Sequence, residues 1–148
     1  TSLKMGLESA GYGAQDISTL WNGCYTTLDG TAQDFINNYA CSKGACLSSS
    51  VYPRPGPAFF ENNIDNGAPM IVLMRMSSYY PEACVNGGGH YFLVVGYSPD
   101  YVIVNDPYTL TGDCSLEVGE HLVITESRFY NQVMPSHSGT VTPIKRRA

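Results

Sequence analysis

Apolar and polar positions follow two different periods along the chain, and the change comes near its middle. Up to about residue 67 the apolar residues recur every three or four positions. Leu3 and Leu7 stand four apart within residues 2–10, and Gly11-Tyr12-Gly13 stops that run. Asp16 is a suitable N-cap for a short segment with Ile17, Leu20 and Trp21 on one face, because its carboxylate can accept from the orphan amides of a helix start. The clearest helix opens at Thr31. That residue is placed to cap it, Asp34 takes the capping-box position, and Phe35, Ile36, Tyr39 and Ala40 form the stripe. Residues 48–57 carry three prolines and three serines and predict a loop. Residues 58–66 predict another short helix with Phe59, Phe60 and Ile64, stopped by Gly67 and Pro69.

From residue 70 onward the apolar positions run together. Residues 70–76 and 91–97 are compact runs of strand length, and the second is too apolar for a strand with one wet face, which predicts a central strand. Ser98-Pro99-Asp100 predicts a turn, with residues 101–105 returning antiparallel. Residues 121–125 predict a fourth strand, and residues 127–134 a closing helix ended by Pro135. No internal repeat is present. Helices first and antiparallel strands second give an α+β layout, with the helices packed against one face of the sheet.

At 148 residues the chain suits one domain, residues 1–148, around a single core. Hydrophobic residues at 43% against charged residues at 14% exclude a disordered chain. A net charge of -5 gives no electrostatic footprint for nucleic acid, and Lys145-Arg146-Arg147 reads as a solvated end. The longest apolar run, residues 70–74, is too short to span a bilayer. Five cysteines in a chain poor in Lys and rich in Tyr, Asn, Ser and Gly point to a secreted or otherwise extracytoplasmic setting. Cys41 and Cys46 flank a small turn and suit a short bridge. Cys84 and Cys114 lie in the loops either side of the 91–105 strand pair and suit a second, which leaves Cys24 over. No Cys-x-x-Cys occurs and no His lies near a Cys, so neither a metal nor an organic cofactor is expected. The chain begins with Thr1 and carries no signal peptide, so it reads as processed or trimmed.

The chemistry concentrates between residues 87 and 108. His90 opens one strand of the hairpin and Asp106 closes the other, 16 positions later. With the turn near Pro99, both fall at the same edge of the sheet. There a carboxylate can accept from one ring nitrogen and leave the second for proton transfer. The three glycines 87–89 let a loop pass close to a substrate backbone. A polar strand end and a turn-initiating Asn-Asp-Pro would also account for these residues.

Gly88-Gly89-His90-Tyr91 with its apolar strand, followed by Val102-Ile103-Val104-Asn105-Asp106-Pro107, resembles the His/Asp half of papain-like cysteine peptidases. The branch it resembles includes the leader-peptide-removing domains of double-glycine bacteriocin exporters and their free-standing relatives. NGAPMIVLM before the histidine, GTAQDFINNYA and ITESRFYNQVM extend the likeness along the chain. The resemblance implies a papain-like fold, a peptide or protein substrate, and a Cys-His-Asp arrangement. In it His90 takes the thiol proton and Asp106 orients His90. In that family the nucleophilic Cys sits at the N-terminus of the first long helix, where the dipole and free amides lower a thiol pKa, and a Gln upstream completes the oxyanion site. The matching helix, TSLKMGLESAGY, begins at residue 1. The Cys is therefore expected a few residues before Thr1, in a parent protein.

Other readings stand beside this one. The fold can be kept for binding alone, the same apparatus can run amidase or other acyl-transfer chemistry, or the histidine and aspartate can merely close a sheet edge. Cys24 with Gln15 is the alternative nucleophile pair, although Gly30 leaves no long helix behind Cys24. Thr1 acting through its own amine is another. Tyr52, Tyr79 and Tyr80 are loop aromatics placed to touch a peptide. Oligomeric state is open.

Overall fold

The computed structural model describes residues 1–27, 31–75, 89–110 and 116–148. Among these, α1 (Ser2–Ser9), α2 (Ile17–Gly23), α3 (Gln33–Ser42) and α4 (Pro57–Asp65) precede most of the sheet. The strands are β1 (Tyr52–Pro53), β2 (Met70–Arg75), β3 (Gly89–Tyr97), β4 (Tyr101–Leu110), β5 (Leu116–Thr125) and β6 (Thr140–Pro143). Between β5 and β6 the closing helix starts as α5 (Glu126–Arg128), widens into a π-helical stretch (Phe129–Val133) and ends in a 3-10 turn (Met134–Ser136) that holds Pro135. The sheet order is β1-β6-β2-β3-β4-β5, antiparallel throughout. This is the expected α+β, papain-like architecture.

The local causes are mostly the ones the sequence predicts. The Thr19 amide donates to Asp16 Oδ2 at 2.9 Å, so Asp16 does cap α2. Pro57 opens α4, where its missing N–H costs nothing. The cap of α3 needs correcting. Ala32, not Thr31, is the N-cap, because the Thr31 hydroxyl is paired with that of Thr26 at 2.7 Å. Phe35 also leaves the predicted core stripe. It is 41% exposed and rests on Tyr25, with ring centroids 5.2 Å apart.

The helices do not share one face of the sheet, as the order of elements suggests. On one side α1 to α3 bring Leu3, Leu7, Leu20, Ile36 and Ala40 against Ile71, Leu93 and Ile144. On the other, α4 and the closing helix bring Phe60, Phe129 and Val133 against Met70, Val72, Phe92 and Val94. Successive strand residues point to opposite faces, so covering both faces makes consecutive positions in the middle of β2 and β3 apolar. The unbroken apolar runs of the sequence have this cause.

Two strands have no periodic signal. Residues 48–57, expected to be a loop, contribute β1, which pairs Tyr52 with Val141 and Pro53 with Thr140. Pro53 is tolerated because β1 is the edge strand. Tyr52 is not a free loop aromatic but packs on Phe59, 4.7 Å between centroids. The Cys41–Cys46 disulfide is present, closing a separation of five residues. Cys84, Cys114, Gly87, Gly88, Tyr79 and Tyr80 lie outside the described residues. Among the described residues no helix is long and apolar enough to cross a membrane.

Candidate active site

The β3–β4 ladder pairs Leu93 with Asn105 and Val94 with Val104. One step further along that register sets Asp106 across from Phe92, and so diagonal to His90, within reach for long side chains. The side chains meet: His90 Nε2 lies 2.7 Å from Asp106 Oδ1. The imidazole is 11% exposed and the carboxylate fully buried. A carboxylate accepts and does not donate, so Nε2–H is the donor, and in the neutral ring the lone pair is then on Nδ1. The pairing therefore prepares Nδ1 to receive a proton. Pro107, directly after Asp106, stands where the β4–β5 register shifts, one of the few places a strand tolerates proline.

The start of α1 meets this pair from the neighbouring layer. Ser2 Oγ donates to the carbonyl oxygen of Tyr91 at 3.2 Å, which pins the helix N-terminus beside the residue that follows His90. Thr1, Ser2 and His90 line one cavity of about 340 Å³, with Trp21, Cys24 and Pro107 on its other walls. Tyr91 is not a rival acid or base. Its hydroxyl donates to the Thr31 carbonyl at 2.6 Å, and burial, followed by Asp34, pushes its phenol up to about 12.

Cys24 lines the same cavity but is poorly made for attack. It caps the C-terminal end of α2, where the dipole disfavours a thiolate, and it is 3% exposed. Burial raises its pKa. Gln15 is not its partner. The Gln15 amide donates to the carbonyls of Tyr12 and Gly13, both at 3.2 Å. The structure thus unites His90, Asp106 and the head of α1, and keeps Gln15 apart from Cys24. Of the three glycines, Gly89 is described, and a Cβ there would come 3.3 Å from Leu73. Among the described residues no group of three or more His, Cys, Asp and Glu is placed to hold a metal ion.

The outer wall of the cavity was hidden in the sequence. Ile17, Leu20 and Trp21 share one face of α2, yet Ile17 and Trp21 are each 46% exposed, and of the three only Leu20 is buried. Their one signal was the shortness of α2, too short to bury a full stripe.

A family model, the Peptidase_C39 like family, matches residues 1–119. No curated protein matches. A structure described as a C39-like peptidase from Bacillus anthracis superposes with a TM-score of 0.69 at 13% identity, covering 100% of this chain and 88% of that one. The peptidase domain of Streptococcus ComA, a bi-functional ABC transporter involved in a quorum sensing pathway, gives a TM-score of 0.61 at 17% identity, with 98% and 88% covered. At these identities the two structures establish likeness of fold.

Proposed function

The chain belongs to the Peptidase_C39-like family and is a cysteine peptidase-type domain, and on that premise we propose that it hydrolyses peptide bonds with His90 and Asp106 as two members of a Cys-His-Asp set. The observation that carries the proposal is the 2.7 Å His90–Asp106 hydrogen bond at the rim of a cavity that also holds the start of α1. The third member is a cysteine a few residues before Thr1, at the head of the same helix.

The steps are those of a thiol peptidase with His90 as its base. His90 Nδ1 takes the thiol proton, and the thiolate attacks the carbonyl carbon of the scissile bond. The resulting oxyanion is held by amides at the helix N-terminus. His90 returns the proton to the leaving amine and a thioester remains. Water, deprotonated by the same nitrogen, attacks the thioester and releases the acid and the thiol. Asp106 accepts the Nε2–H hydrogen bond throughout and takes no proton itself, which fixes the tautomer and steadies the imidazolium. The substrate is a peptide lying along the cavity, where Ile17 and Trp21 offer an apolar wall. The Cys41–Cys46 disulfide supports an extracytoplasmic place of action.

Peptide cleavage by the full-length protein, measured with a mixed peptide pool beside His90→Ala, tests this. Cleavage by the wild type and its loss in the variant are expected. Retained cleavage in His90→Ala overturns the assignment, and peptide binding without any cleavage by the wild type favours a binding module.

A further inference from the structure

Asp106 is held in a short stretch of shifted register. From the pair Val104–Leu122 to the pair Asp106–Gly119, β5 spends three residues against two of β4. From Asp106–Gly119 to Thr109–Glu117 the imbalance reverses, so the two offsets cancel. The first offset is a bulge around His121, whose backbone is left-handed at φ 52. That conformation is uncommon for a residue with a side chain and persists only where its surroundings enforce it. A bulge also takes the extra residue's amide out of the regular ladder. Here the His121 N–H donates to the Asn105 side chain, Oδ1, at 2.8 Å.

The consequence falls on Asp106. In the register that holds on either side, position 120, a glutamate, would stand across from it. With the bulge, Gly119 stands there instead, and Gly119 is buried. Like charges directly opposite on paired strands destabilise each other, and a second carboxylate would compete for the His90 ring. We propose that Asn105 is a positioning residue: by accepting the His121 amide it holds the bulge that keeps a glycine, rather than Glu120, facing Asp106, and so keeps a second carboxylate away from the Asp106–His90 pair. The Asn-Asp pair then divides the work, one side chain setting the register and the other orienting the imidazole. Its value for turnover rests on the peptidase reading; the geometry of the pair does not.

The test reads the hydrogen-bonded Nε2 proton of His90 by NMR of histidine-labelled protein, so it needs no turnover. A ring proton donated to a buried carboxylate should appear far downfield and exchange slowly in the wild type. Asn105→Ala is expected to lose that signal, and Asn105→Ala/Glu120→Gln to regain it. Asn105→Ala/His121→Gly, in which glycine takes the left-handed backbone without strain, is expected to keep it even where Asn105→Ala alone folds poorly. An unchanged signal in Asn105→Ala, or its loss in both double variants, overturns the proposal. Failure to cleave peptides, with the signal behaving as expected, would instead overturn the peptidase reading.

Discussion

On the α4 side of the sheet Phe60, Phe92 and Phe129 are fully buried, and Phe60 meets Phe129 edge to face with centroids 5.3 Å apart. Tyr130 joins them at 4.9 Å from Phe129. On the α1 side the buried residues are aliphatic and smaller, and Ser2, Gln33 and Asn37 are buried with them. Each of those polar groups is bonded to backbone. Gln33 Nε2 donates to the Thr140 carbonyl at 2.9 Å, and Asn37 Nδ2 to the Ser48 carbonyl at 3.0 Å. One face is dry and aromatic, suited to holding the sheet flat against a helix. The other gives up apolar area for a cavity, a thiol and fixed amides. The aromatic cluster and the walls of the cavity are thus built from different residues, and substitutions should separate stability from chemistry.

The largest effect belongs to the imidazole. His90→Ala should lower turnover by roughly 10⁶-fold, as loss of the base does where a thiol or hydroxyl depends on it. Asp106→Asn should cost roughly 10⁴-fold, because an amide can hold the ring in the wrong tautomer; kcat for peptide cleavage measures both. In the aromatic cluster, Phe129→Ala should destabilise by about 3–5 kcal/mol through the cavity it leaves. Denaturant unfolding would show the loss, while activity per folded molecule stays level. Cys41→Ser/Cys46→Ser opens a loop of five residues' separation, for which chain entropy gives roughly 2 kcal/mol, again with little change in activity. The smallest effect is expected at Cys24. Burial holds its thiol above the ordinary range, so its thiolate fraction is low at neutral pH and rises only in alkali. Iodoacetamide should label it slowly until well above pH 8, and Cys24→Ala should leave cleavage within about twofold of wild type. A large activity loss there would instead give Cys24 a part in the chemistry.

How far these features were legible depends on how many residues encode each one. The His90–Asp106 meeting was readable because a hairpin of known turn position fixes which ends lie together. The coverage of both faces was also written in the sequence, in the unbroken runs 70–74 and 91–95, but element order suggested a single layer and obscured it. β1 and β6 were not readable, since two and four residues carry no period and Pro53 argues against a strand. The α3 cap was misplaced because Thr31 looks like a cap until Thr26 occupies its hydroxyl, a contact between segments. Asn105 is the subtlest case. Next to Asp106 it reads as half of a turn motif, and only the β5 register shows that its side chain replaces a ladder bond.

The central claim is that the His90–Asp106 pair activates a thiol at the head of α1. Reaction of the full-length protein with a thiol-directed peptidyl inactivator at neutral pH, followed by mass spectrometric mapping, tests it most directly. The account predicts a single adduct on a cysteine just before Thr1, lost in His90→Ala. An adduct on Cys24, or labelling indifferent to His90, would contradict it.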